Sequence, residues 1–132
     1  MTQDSKEQTE KFQNGLKTRK EVLGAEYVDK ALENANDFTW PMQQLVTEYC
    51  WDEVWNRPGL DRRSRSILNL GMISALNRQN ELRLHVRGAI NNGLTKEELT
   101  EIFMQVAIYC GVPAAIDSLK TANEVLKEMG LA

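Results

Sequence analysis

Arg78-Gln79-Asn80-Glu81-Leu82-Arg83-Leu84-His85-Val86-Arg87-Gly88-Ala89-Ile90-Asn91-Asn92-Gly93 sets the pattern for the whole chain. Its apolar residues Leu82, Val86, Ala89 and Ile90 fall at i, i+4, i+7 and i+8, one face of an α-helix. The polar run Arg78-Gln79-Asn80 opens that helix, and Gly93 closes it after Asn92. Downstream, Thr95 with Glu98 three positions on is a capping box, opening a helix that reaches Tyr109-Cys110. Gly111 stops it, and Pro113 starts a last helix that ends at Gly130. Upstream, Asp61 caps a helix through Ile67, Leu68, Leu70, Gly71, Ile73 and Ala75 to about Asn77. Its apolar residues lie nearly all round, which predicts a central position.

Before the Arg57-Pro58-Gly59 break, Thr39 reads as an N-cap with Pro41 near the first helical position. That helix runs to about Asn56, with Leu45, Val46, Tyr49, Cys50 and Trp51 expected inward. A short helix over 25–35 places Tyr27, Val28, Ala31 and Leu32 on one face. Residues 4–23 form a charge-rich helix with the stripe Phe12, Leu16, Val22 and Leu23, weakened by Gly15 and ended by Gly24. Period-two alternation, hairpin turns, linkers and repeats are missing. The expected fold is all-α, a single-domain bundle of six or seven helices over residues 1–132, with 1–24 as an N-terminal helical arm.

At 132 residues the chain is long enough to bury a core without staples. With 42% apolar and 27% charged residues it falls in the globular range. No apolar run approaches a membrane span, and no basic segment leads into an apolar one. Cys50 and Cys110 form no Cys-x-x-Cys, and the chain has one histidine, so a structural zinc site is not expected. These features predict a cytoplasmic protein with neither a metal nor a membrane partner.

The net charge of −3 conceals a segregation. Seven of eight arginines (Arg57, Arg62, Arg63, Arg65, Arg78, Arg83 and Arg87) fall in a window with only Asp61 and Glu81 as acids and no lysine. That window carries +5 and the remainder −8. A chain so acidic elsewhere is a poor nucleic-acid binder. Arginines suit planar recognition of carboxylates, although structural ion pairs or a subunit interface use them equally well.

In the segment quoted first, Arg78, Glu81 and His85 line up one turn apart at the edge of the apolar stripe. Glu81 is placed to orient the His85 imidazole, an acid–base arrangement; a satisfied half-buried histidine is the alternative. Trp51 and Trp55, one turn apart, and Tyr109-Cys110 at a helix end are candidate pocket walls or simple core. Cys110 ends a helix, which disfavours it as a nucleophile.

Four segments carry a resemblance: Trp55-Asn-Arg-Pro-Gly-Leu-Asp-Arg-Arg-Ser-Arg-Ser66, Ala75-Leu-Asn-Arg78, Glu81–Gly93 and Tyr109-Cys-Gly-Val-Pro-Ala-Ala115. With Val22-Leu-Gly24 and Tyr27-Val-Asp-Lys30 they resemble the carboxymuconolactone decarboxylase family over about residues 19–125. The His85 segment alone resembles the broader alkylhydroperoxidase-D-like superfamily; residues 57–66 point to the decarboxylase branch. Where the peroxidase branch carries Cys-x-x-Cys-x-x-x-His, this chain has Arg78, Glu81 and His85, so dithiol chemistry is lost and acid–base chemistry remains.

The resemblance implies an alkylhydroperoxidase-D-like helical fold, a homohexamer and no cofactor. It also implies decarboxylation of 4-carboxymuconolactone, a small dicarboxylate lactone, to the 3-oxoadipate enol-lactone in the protocatechuate branch of the β-ketoadipate pathway. For that reaction His85 is the expected proton donor and Glu81 its orienter. Arg78, Arg62, Arg65 and Arg87 are the expected clamps, and Trp51 with Leu82 an apolar wall. A non-catalytic oligomeric binding protein is the rival expectation; a thiol peroxidase-like reductase is disfavoured by the missing cysteine pair.

Overall fold

A side-chain cap starts α1, Glu10–Leu23: the Thr9 hydroxyl accepts from the Phe12 amide at 3.0 Å. A computed structural model describes residues 8–132, so residues 4–7 of the expected first helix, and 1–7 of the expected arm, lie outside the described residues. After α1 come α2 (Ala25–Glu33) and α3 (Trp40–Leu45), which continues as a π-helix over Val46–Val54. They are followed by α4 (Arg62–Leu76), α5 (Gln79–Asn91), α6 (Lys96–Cys110) and α7 (Val112–Glu128). Seven helices with no strand among the described residues meet the all-α expectation. The chain divides into two compact units, one ending at Leu60 and the other Asp61–Ala132.

In the first unit, α1 lies along the π-helical stretch and buries Phe12 and Val22. Gly15 permits that approach, because a Cβ there would overlap the carbonyl oxygen of Thr47. Phe12 packs on Trp40 with centroids 5.5 Å apart, and Trp51 stacks on Trp55 at 4.8 Å. The buried side of the third helix is therefore Trp40, Thr47, Trp51 and Trp55. Leu45 and Tyr49, expected inward, are 51% and 61% exposed. Three indoles claim the inner face. Thr47 joins them because its hydroxyl accepts from the buried Arg19 guanidinium at 3.4 Å, while Gln43 accepts at 2.8 Å. Thr39 provides no side-chain cap. Instead the Asn36 side chain accepts from the Phe38 and Thr39 amides at 2.9 and 3.1 Å, a local turn that outcompetes the cap.

In the second unit, α5 buries Leu82, Val86 and Ala89 completely, as its spacing predicts, against Leu70 and Val125 of the shared core. The Asp61 side chain accepts from the Ser64 amide at 2.7 Å to start α4. The capping box of α6 forms in full: Thr95 accepts from the Glu98 amide at 3.1 Å, and Glu98 from the Thr95 amide at 3.0 Å. At φ 101°, Gly111 turns α6 into α7 without an intervening loop. α4 packs against α5, α6 and α7, yet Leu68 and Met72 remain about half exposed, so the expected all-round burial is not reached within one chain.

Candidate active site

Leu82, Val86 and Ala89 fix the rotation of α5, and that rotation leaves His85 half-buried beside them. Burial lowers the imidazole pKa from 6.5 to about 4, so the ring is neutral at pH 7. Glu81, one turn earlier, is exposed, and its side chain makes no hydrogen bond or ion pair with any described residue. Glu81, expected to orient His85, makes no hydrogen bond to it in this structure. Sharing a helix face brings two residues near, but Leu82 going to the core turns its neighbour Glu81 toward water.

Arg78 precedes the first residue of α5, exposed and with a side chain engaged by no described residue. With Asn77, Gln79, Asn80 and Glu81 it lines an open polar depression of about 330 Å³. Arg62 and Arg65 lie half-buried in the first turn of α4. That turn meets the far end of α5, where Asn92 donates to Ser66 Oγ at 2.9 Å and to the Arg62 carbonyl at 3.4 Å. Positions 78 and 92 are separated by about 20 Å of helix. Arg78 thus lies at one end of α5, and Arg62 and Arg65 in the turn that meets the other.

Several of its members are committed to structure. Arg83 pairs with Glu124 and, at 3.2 Å, with Glu128; Arg87 reaches Glu128 at 3.5 Å, tying α5 to α7. Arg63 pairs with Glu98 at the head of α6. Arg87, expected as a clamp, is therefore shared with a structural ion pair.

Both members of the expected apolar wall are buried, each within its own unit. Trp51 is 3% exposed in the first unit and Leu82 is fully buried in the second. What the second unit does offer is an apolar groove of about 680 Å³ between α4 and α6, walled by Ile67, Leu68, Met72, Ile102, Tyr109 and Cys110 among others. Tyr109 is 80% exposed there. The Cys50 thiol is pushed up by burial, against opposing effects of a Trp55 hydrogen bond and the Arg19 charge, which disfavours its thiolate. Among the described residues no group of three or more His, Cys, Asp or Glu side chains is placed to hold a metal.

Three residues that sequence reasoning passed over surround Arg78. Asn77 adopts the left-handed conformation at φ 56° and accepts from Gln79 Nε2 at 3.0 Å. Gln79 Oε1 in turn accepts from the Thr121 hydroxyl of α7 at 2.5 Å. The asparagine at a helix end was a readable signal for that conformation; nothing local connects residues 79 and 121.

Comparison with known proteins adds a second line of argument. Residues 41–124 match the carboxymuconolactone decarboxylase family. A nitrosuccinic acid decarboxylase of Metarhizium robertsii is 49% identical over 118 residues, covering 89% of this chain and 82% of that one. A 4-carboxymuconolactone decarboxylase of Acinetobacter baylyi is 42% identical over 123 residues, covering 93% and 92%. An uncharacterised 15.0 kDa protein of Paracoccus denitrificans is 34% identical over 85 residues, 63% of each chain.

Proposed function

The chain belongs to the carboxymuconolactone decarboxylase family and is an enzyme of decarboxylase type, and from that premise we propose that it removes CO₂ from a small dicarboxylate with a built-in electron sink. The observation that carries the proposal is its relation, over more than four-fifths of each length, to two decarboxylases whose named substrates share that chemistry. In 4-carboxymuconolactone, the C–C bond to the departing carboxylate breaks and its electron pair passes through the ring alkene to the lactone carbonyl oxygen. A proton then returns at the α carbon to give the 3-oxoadipate enol-lactone. In nitrosuccinate the same electron pair moves onto the nitro group, and a proton returns at the carbon that lost CO₂. Neither path needs an external sink.

For this chain we assign His85 the proton and Arg78 one carboxylate. A guanidinium pairs with a carboxylate through two parallel charge-assisted hydrogen bonds, which fixes the orientation of the acid. A bound dianion adds negative charge that opposes the effect of burial on His85, so proton uptake accompanies binding. Glu81 lies in the same polar depression as Arg78 and helps set the approach of the ligand rather than the tautomer of His85. Arg62 and Arg65, at the far end of α5, serve a second contact or an interface.

The lactone, with its place in the protocatechuate branch of the β-ketoadipate pathway and a cytoplasmic location, is the first substrate reading. The higher identity to the nitrosuccinate enzyme favours a second. Homo-oligomerisation, as a hexamer, belongs to the same proposal: the apolar groove between α4 and α6 is what a second copy would cover. The family match crosses the boundary between the two units at residues 60 and 61, which supports reading the chain as one functional domain.

Purified protein should be given each acid separately, following loss of lactone absorbance in one case and release of CO₂ in both. Turnover of the lactone well above that of nitrosuccinate supports the first reading, and the reverse order the second. Consumption of neither acid overturns the proposal.

A further inference from the structure

We infer that Thr121 and Gln79 are positioning residues for Arg78, acting through an Asn77–Gln79–Thr121 hydrogen-bond relay that anchors the α4–α5 turn to α7. The inference rests on the proposed role of Arg78 and adds how its placement is maintained. Arg78 is exposed, and its side chain has no hydrogen-bond or ion-pair partner among the described residues. Its backbone, by contrast, is held from both sides. Before it, Asn77 has the only positive φ of any non-glycine among the described residues, at 56°. Such a conformation costs an L-residue energy and persists only where the surroundings enforce it, although asparagine tolerates it best. After it, Gln79 spans the turn: Nε2 donates to Asn77 Oδ1 at 3.0 Å, and Oε1 accepts from Thr121 Oγ1 at 2.5 Å. The Arg78 amide itself donates to the Ile73 carbonyl at 3.2 Å.

Two hydroxyls one turn apart on α7 bracket this corner. Ser118 donates to Ser74 Oγ at 2.9 Å, in a fully buried contact with the last turn of α4. Thr121, 8% exposed, reaches the first residue of α5. The two contacts fasten the end of α4 and the start of α5 to one rigid helix, with Asn77 and Arg78 between them. A guanidinium on a four-bond stem gains precision only from the backbone that carries it, and small misplacements of a positioned group reduce rates steeply. Removing the Thr121 hydroxyl leaves Gln79 Oε1 without its partner and frees the glutamine to release Asn77.

The test compares Thr121→Val, Thr121→Ser and the unaltered protein, with thermal unfolding as a control for the fold. Expected for Thr121→Val is a roughly 10-fold loss in kcat/KM, carried mainly by KM, with restoration in Thr121→Ser. The pH profile of kcat/KM should be unchanged, since His85 is not part of the relay. Independently of turnover, the side-chain amide signals of Gln79 in ¹⁵N-correlated NMR should shift and exchange faster in Thr121→Val but not in Thr121→Ser. Unchanged KM and unchanged Gln79 signals in a folded Thr121→Val protein overturn the inference. If the unaltered chain consumes neither acid, the functional reading fails, and the NMR comparison alone decides whether the relay anchors residues 77–79.

Discussion

His85 illustrates how far one residue depends on its surroundings. Its burial lowers the imidazole pKa to about 4, whereas the ring exposed by unfolding titrates near 6.5. Between these values the unfolded chain binds the extra proton, so the stabilising contribution is complete above pH 6.5 and is lost as pH falls toward 4. Thermal unfolding between pH 6.5 and 5 should show a declining midpoint, flattened in His85→Gln; parallel curves would contradict the depressed pKa. The same property governs activity. If substrate must meet a protonated His85, kcat/KM decreases as pH rises above 5, by about tenfold per unit, because the free-enzyme pKa controls that parameter. A flat profile through neutrality would remove His85 as the proton source. Arg78→Lys exchanges a planar fork for a point charge, and steady-state kinetics should show KM raised about tenfold with a smaller change in kcat.

At the scale of the element, helix ends were the most readable features and helix faces less so. The Thr95–Glu98 box and the Asp61 cap depend on neighbours within three residues, and both formed as their local chemistry dictates. The third helix differed because its inner face was settled by partners elsewhere: Phe12 meeting Trp40, and Arg19 making a buried place for Thr47. Gly15 shows the same dependence. By propensity it weakens α1, and replacement by alanine in an open helix would stabilise by about 0.5–1 kcal/mol. Here the added methyl meets the Thr47 carbonyl, so Gly15→Ala should instead destabilise by roughly 1–3 kcal/mol, read as a lower urea midpoint. An unchanged or raised midpoint would show that the α1 contact gives way easily.

For the whole molecule, the exposed apolar residues are the informative ones. Leu68, Met72 and Tyr109 line or border one groove, and surface of that kind favours association. Leu68→Asp should lower the mass measured by light scattering relative to the unaltered protein, whereas a substitution at exposed Glu97 should not. Equal masses would place the interface elsewhere. The all-helical architecture, the helix boundaries and the family were legible from the chain because they follow from periodicity, caps and motifs, all carried within a few residues. The fate of each arginine was not. Arg83 and Arg87 found Glu124 and Glu128 across more than forty residues, Arg62 came to lie at the opposite end of α5 from Arg78, and Glu81 was left exposed to solvent. Those outcomes belong to the packing of α4, α5 and α7, since a charge is assigned its partner only when burying apolar faces has settled how the helices lie against one another.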